Sequence, residues 1–590
     1  YLVLGKHVAP KSLEAKFPEV IKKYFSPQVE KFFGQSLEAL IASGNVSVLF
    51  YLQPLQRIHL HSDLMAELEP NSDIKYVYIF SAIALFILII ASINFMNLST
   101  ARSAGRAKEV GIRKVVGSLR SQLIRQFLTE SMILSIISMV IALLLVKLVL
   151  PYFNTLSGKE LIMSDYYRWE MILAAIVITL LTGLLAGLYP AFLISAFRPI
   201  TVLKGQLKSG VKSGWLRSGL VVFQFAASII LIIGTLVVMN QLNYIQDKKL
   251  GFDKEQVLIL HNAYLLDKQA ETFKNEMLTH LQIKRATISG YLPIPSSRNS
   301  SAVFPEGQVA NKNSTSIQNW IVDYDYIKTL GMKVIKGRDF SREFSTDPSA
   351  VIINQAAAKQ FGWKEPIDKR LSRFTSLKGD MTTYTVIGMV EDFHFESLRD
   401  TIGPLVMFLG EHKDLMSFRI DTGNIPGTID LLRDKWNRFL PGQPFEYSFL
   451  DERFYEVYKA EQKLGQIFGA FAVLAIFVGC LGLFGLAAFI AEQRTKEIGI
   501  RKVFGASVSS IIGLLSREFV ILVGIANIIA WPVAYFVMNK WLQDFAYRTP
   551  LSPLIFLAAG AAAIIIALLT TSYQAVKAAF TDPVKSLKYE

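Results

Sequence analysis

The sequence predicts an α-helical polytopic membrane protein, with seven spans here and eight expected at full length. It also predicts α+β extracytoplasmic domains and a tandem parallel repeat. Three observations lead there. Seven stretches, 76–101, 131–154, 171–197, 218–246, 464–491, 519–539 and 549–576, carry almost no charge. Most exceed the ~20 residues that cross a ~30 Å hydrocarbon layer. Lys and Arg gather beside alternate ends of these stretches, which fixes an orientation. Finally, the segment Lys108-Glu109-Val110-Gly111-Ile112-Arg113-Lys114-Val115-Val116-Gly117 returns as Lys496-Glu497-Ile498-Gly499-Ile500-Arg501-Lys502-Val503-Phe504-Gly505.

Composition agrees with this class. Of 590 residues 52% are hydrophobic and 19% are charged, few charges for a soluble chain of this length. The net charge of +14 belongs to the flanks of the apolar runs, so it marks a membrane surface and not a nucleic-acid partner. Cys480 is the single cysteine and lies inside an apolar run, so neither a disulfide framework nor a cysteine zinc site is expected.

The elements follow in order. Residues 1–75 read as the C-terminal remnant of a first outer domain. The positive-inside rule places 101–130, 198–217, 492–518 and the tail in the cytoplasm, and 1–75, 155–170, 247–463 and 540–548 outside. Nothing in 1–75 would carry that segment across, so an upstream span is expected. Residues 76–205 form a three-span unit, within which Lys147 can snorkel to the interface. Residues 206–246 are a linker and fourth span. Residues 247–463 are globular: 257–260, 350–353 and 384–390 have strand patterns, whereas 268–281, 354–361 and 426–439 have helical ones. Two subdomains are expected, with a continuous helix over 449–466 entering the fifth span. Residues 464–590 repeat the three-span unit. Phe197-Arg198-Pro199-Ile200 with Lys204 at the end of the first unit matches Phe580-Thr581-Asp582-Pro583-Val584 with Lys588 at the end of the second. The two units share one orientation, unlike the inverted repeats of many secondary transporters.

Catalytic signatures are absent. There is no phosphate-cradling G-x-x-x-x-G-K-[ST], no H-E-x-x-H and no G-x-S-x-G. The run Glu391–Glu396 surrounds His394 with acids but reads as a solvated turn. His59 and His61 alternate at strand spacing and read as surface groups. No enzyme activity is therefore expected of this chain. The repeated decapeptide is the candidate site. Glu109 with Arg113, and Glu497 with Arg501, stand at i,i+4 in the favourable order, but such a pair contributes only ~0.3–0.5 kcal/mol. That is too little to account for two copies. Val110, Ile112, Val115 and Val116 offer an apolar side, and Gly117 and Gly505 suit helix ends. A basic amphipathic helix resting on anionic lipid is the plainer alternative.

At this motif the sequence resembles the FtsX/MacB family of ABC-transporter permeases, in a large duplicated form. The decapeptide after a span, the two spans behind it and the terminal Pro-Val/Ile with Leu-Lys carry the resemblance. Residues 247–463 resemble a MacB-type periplasmic core domain. The resemblance implies a separate dimeric ABC ATPase at the cytoplasmic face, which would hold ATP and Mg, with no cofactor in this chain. It implies a bacterial inner-membrane location and, in some members, a periplasmic adaptor or membrane-fusion protein. It also implies ATPase coupling by Lys108, Glu109, Gly111, Arg113, Lys114 and Gly117, and by Lys496, Glu497, Gly499, Arg501, Lys502 and Gly505. The expected function is export or release of an envelope substrate such as an amphiphile, peptide or lipoprotein. The alternative is mechanotransmission to a periplasmic cell-wall enzyme without transport.

Overall fold

A computed structural model describes residues 2–33, 36–42, 48–62, 71–196, 211–295, 300–306, 315–375 and 380–580; some side chains within these ranges, those at 100–108 and 496 among them, are outside the description. The Pro and Lys tails read at 197–204 and 581–588 lie outside the described residues. The chain divides into two compact units. One comprises Tyr1–Ile74, Asp247–Lys459 and Phe545–Tyr547; the other comprises Lys75–Gln246, Ala460–Asp544 and Arg548–Glu590.

The first unit holds all eleven strands of the described residues. They are β1 Val257–Leu260, β2 Ile283–Ser289, β3 Ser300–Pro305, β4 Thr315–Val322, β5 Val334–Gly337, β6 Ala350–Asn354, β7 Arg370–Phe374, β8 Met381–Val390, β9 Leu405–Leu409, β10 Leu415–Ile420 and β11 Tyr447–Phe449. Two architectures divide them. The strands β11-β1-β10-β2 pair antiparallel in that order. The Ala270–Leu278 helix connects β1 to β2, and the Ile425–Phe439 helix connects β10 to β11. This is a split β-α-β arrangement. Phe273, Met277, Leu432 and Trp436 from the helices pack on Leu258, Leu260 and Phe418 from the strands. The rings of Phe273 and Trp436 meet edge to face at 6.2 Å, a preferred aromatic geometry.

The strands β4-β3-β7-β8-β6-β9 make the second subdomain, and β9 returns to pair with β4 from Gln318↔Leu405 to Val322↔Leu409. The six strands therefore close into a barrel, which leaves no free edge for foreign strands. Its interior holds Val303, Ile317, Val351, Ile353, Leu371, Val386, Val406 and Phe408. The strands expected at 257–260, 350–353 and 384–390 are β1, β6 and most of β8, and the three expected helices are present with ends shifted by a few residues.

Two expectations are corrected here. His59 and His61 sit on the Leu55–His61 helix, not on a strand; alternation over so short a span does not separate the two periods. The helix expected over 449–466 is interrupted. One helix covers Leu450–Val457, Tyr458 leaves helical geometry (φ −104°, ψ 9°), and a second begins at Lys459. Tyr458 is buried, and its hydroxyl oxygen accepts the Leu398 backbone N–H at 2.9 Å. The tertiary contact holds the break in place.

Among the described residues, the second unit contains seven helices long and apolar enough to cross a membrane: Ile74–Ser99, Arg120–Ser157, Trp169–Phe192, Arg217–Gln246, Glu461–Gln493, Val508–Leu542 and Pro553–Ala579. The second and sixth begin about one-third of their length before their apolar runs, at Arg120 and Val508, because a polar N-terminal extension continues the same helix. Lys147 sits within the second span. Small residues bring spans together: Ala526, Ala530 and Ala534 of the sixth share a core with Ala559, Ala563 and Ala567 of the seventh. Between spans two and three, a Cβ on Gly187 would lie 2.7 Å from Ser131 Oγ. The Ser135 hydroxyl donates across the same interface to the Thr179 carbonyl at 3.0 Å.

Candidate functional site

Both decapeptides end a helix and turn into the next span. In the first copy the helix runs unbroken from Ile74 to Val115; in the second the Thr495–Val503 helix starts afresh after Arg494. The ends are the same. Gly117 N–H donates to Lys114 O at 3.1 Å and Ser118 N–H to Arg113 O at 2.9 Å. In the second copy Gly505 N–H donates to Lys502 O at 3.0 Å and Ala506 N–H to Arg501 O at 3.0 Å. This pair of reverse bonds is the Schellman motif, which needs a left-handed residue after the helix. Gly117 has φ +103° and Gly505 φ +86°.

The turn sorts side chains alike in both copies. Val110 and Gly111, like Ile498 and Gly499, face inward, and Lys114 and Lys502 are half-buried. Ile112, Val115 and Val116 face outward, as do Ile500, Val503 and Phe504. Val116 is 81% exposed and Phe504 86%. The apolar side expected from Val110 with Ile112 is thus two sides: Val110 packs with Leu123, Phe127 and Ala191, and Ile112 begins a separate exposed triad. Spacing at i, i+3, i+4 gathers such a triad on one helical face. Ile500, Val503, Phe504 and the exposed Leu119 carry the same signal and escaped the sequence reading; the repeat spacing alone could have found the first three.

Charged groups frame each triad. Arg113 pairs with Glu109 and Arg501 with Glu497, each at 2.7 Å. Arg113 also donates to Gln126 Oε1 at 2.7 Å, and Gln126 donates to Glu130 at 3.1 Å. Lys114 Nζ donates to the Ser195 carbonyl at the end of the third span at 2.6 Å. Burial first, and then the Arg120 charge, pull the Lys114 ammonium below the usual lysine range. In the second copy Arg494 reaches Glu518 at 2.5 Å. The basic residues in each last turn also suit the helix C-terminus. Each turn thus presents an exposed apolar triad beside oriented charged groups.

Models of two domain families match the chain. The FtsX-like permease C-terminal domain matches residues 81–199 and again 469–583, so each match contains one decapeptide. The MacB-like periplasmic core domain matches 219–420. The chain belongs to the FtsX/MacB type of permease. Among relatives of this permease is "Macrolide export ATP-binding/permease protein MacB" of Chromobacterium violaceum, 25% identical over 46% of this chain and 43% of that one. MacB of Campylobacter jejuni is 28% identical over 21% of this chain and 19% of that one. "Uncharacterized ABC transporter permease YknZ" of Bacillus subtilis is 27% identical over 21% of this chain and 31% of that one. This permease therefore matches less than half the length of each of these relatives. The periplasmic region of MacB from Actinobacillus actinomycetemcomitans has TM-score 0.27 at 14% identity, over 36% of this chain and 97% of that one. The extracellular domain of YknZ has TM-score 0.23 at 16% identity, over 33% and 98%.

The acid run around His394 is resolved differently from a solvated turn. His394 is buried, its backbone N–H donates to Leu250 O at 2.8 Å, and its ring stands edge to face with Tyr547 at 4.5 Å. Burial, together with the Lys248 charge, pushes its pKa down to about 4. Among the described residues no group of three or more His, Cys, Asp or Glu could hold a metal.

Proposed function

We propose that this chain is the membrane subunit of an ABC transporter in the bacterial inner membrane, and that its twin decapeptides dock a separate dimeric P-loop ATPase. ATP and Mg would be held in that partner. The carrying observation is the identical sorting of two distant segments into a buried Val110/Ile498 and an exposed Ile112-Val115-Val116 or Ile500-Val503-Phe504 face. Fully burying one such side chain contributes roughly 1.5–3 kcal/mol, several times more than the Glu109–Arg113 type of ion pair. The apolar triads therefore supply affinity, and Lys108, Glu109, Gly111, Arg113, Lys114 and Gly117, with Lys496, Glu497, Gly499, Arg501, Lys502 and Gly505, set orientation and hold the turn.

Closure of the ATPase on ATP would draw the two docking helices together and pass the motion through the spans to the periplasmic domain, exporting or releasing an envelope substrate such as an amphiphile, a peptide or a lipoprotein. A periplasmic adaptor would fit the export form of this reading. The test is co-purification of a nucleotide-hydrolysing subunit from the native host. Wild type is expected to retain it, and V116E/F504E to lose it. Retention by the double variant, or recovery of no ATPase with wild type, overturns the proposal. Charge reversal at Arg113 or Lys114 is a poorer probe, because both hold contacts within the chain.

A further inference from the structure

The helix of the second span starts well before its apolar run. It begins at Arg120, and the run begins at 131. Arg125 therefore stands about 9 Å outside the hydrocarbon border, at 1.5 Å per residue. The headgroup layer beyond that border is roughly 5–7 Å deep, and a long guanidinium side chain bridges the difference. Much of the stretch is occupied within the protein. Leu123 and Phe127 pack with Val110 and Ala191. Gln126 accepts from Arg113 and donates to Glu130, and Arg120 Nε donates to the Ser195 hydroxyl at 3.4 Å.

One further face is open. Ser121, Ile124, Arg125, Leu128, Thr129 and Met132 recur at three and four residues, which aligns them, and they line a groove of 390 Å³. Its inner wall is held against the third span: a Cβ on Gly187 would lie 3.3 Å from Leu128 Cδ2, and one on Gly183 would lie 3.1 Å from Met132 Sδ. The groove is graded along its length. Ser121 and Arg125 lie at the headgroup end with Ile124 beside them, Leu128 lies near the border, and Met132 lies inside the apolar run. Arg113, Lys114 and Arg120 all hold partners within the protein. Arg125 is exposed, and among the described residues its side chain makes no ion pair and no hydrogen bond.

We infer that this groove holds an anionic phospholipid from the leaflet on the side of the decapeptide turns. The phosphodiester takes the Arg125 guanidinium in a charge-assisted pair and accepts from the Ser121 hydroxyl one helical turn away. The acyl chain lies along Leu128 and Met132. A headgroup with an amine of its own neutralises its phosphate, so an uncompensated arginine favours a lipid of net negative charge. A protein segment suits the groove less well, because its deeper end meets the hydrocarbon, where a backbone must satisfy its own hydrogen bonds. The second repeat does not share the site. At the spacing that relates Lys108 to Lys496, Arg125 corresponds to Gly513, Thr129 to Arg517 and Leu128 to Ser516. Ser516 is buried and shares a hydrogen bond with Thr571 at 3.2 Å. An arginine stands there without the apolar wall beneath it. The lipid site does not rest on the docking reading above.

The experiment uses the full chain in phosphatidylcholine nanodiscs that carry a trace of photoactivatable lipid. That lipid is either phosphatidylglycerol or phosphatidylcholine with the same diazirine-bearing acyl chain, and labelled peptides are mapped by mass spectrometry. Residues 121–132 should be labelled about fivefold more by the glycerol lipid than by the choline lipid, the factor that ~1 kcal/mol per basic residue at a membrane surface gives. R125Q should remove the excess and R125K should keep most of it; Arg125 is exposed, so neither change disturbs packing. The peptide around Arg517 reports general attraction between arginine and anionic lipid, and should show no comparable excess. Equal labelling of 121–132 by the two lipids, an excess that survives R125Q, or the same excess around Arg517 overturns the inference. No ATPase enters this assay, so its failure leaves the docking proposal standing, and a failed co-purification leaves the lipid site standing.

Discussion

His394 shows how burial converts a sequence feature into its opposite. Flanking acids make it look solvated, yet the ring packs against Tyr547 and titrates at about 4. A folded-state value below the ordinary 6.5 means that the neutral ring is favoured by the fold. Its contribution is complete above pH 6.5 and is lost as pH falls towards 4. The loss is at most roughly 3 kcal/mol, from the linkage between a pKa shift and stability. H394F should keep the ring contact and flatten the fall in unfolding temperature of the full chain between pH 7 and 4.5. Asp339 works in the other sense. Burial raises its pKa to about 6, so the folded state favours the protonated acid, and stability is lost as pH rises from about 4 through 6. D339N should unfold at a higher temperature than wild type at pH 7.5 and at the same temperature at pH 4. An unchanged difference across that range would remove the titration from the explanation.

At the scale of elements, the turns that end both decapeptides depend on two glycines. No atom lies within 4 Å of a Cβ built on Gly117 or Gly505, so a side chain there meets open space. The cost of substitution is backbone conformation alone, of order 1–3 kcal/mol for a residue forced to hold positive φ. G117V or G505V should loosen the turn and weaken ATPase binding while leaving the spans inserted; measured affinity in nanodiscs against wild type checks this. F504A removes one exposed aromatic ring without touching the turn. Its loss should weaken binding about tenfold or more, the equivalent of roughly 1.5–3 kcal/mol of burial. The spans were legible in the sequence because twenty or more uncharged residues have few other fates. The division of the decapeptide was only half legible: both Val110 and Ile112 are apolar, and which one faces the protein depends on Leu123, Phe127 and Ala191 far along the chain. The barrel was not legible, since its closure rests on β4 meeting β9 across more than eighty residues. The break at Tyr458 was hidden for the same reason, its hydrogen bond coming from Leu398.

For the whole molecule, the repeat is the organising fact. Two FtsX-like regions present equivalent turns, and the first span meets the fifth around Phe80 and Phe468. The central claim is that both exposed triads touch one kind of nucleotide-hydrolysing partner. A photo-crosslinking residue placed at Val116, and separately at Phe504, in the native host tests it most directly. Both positions should capture the same P-loop ATPase, and ATP should change the yield at both together. Capture of lipid alone at both positions, or of the ATPase at one position and never at the other, would contradict the claim.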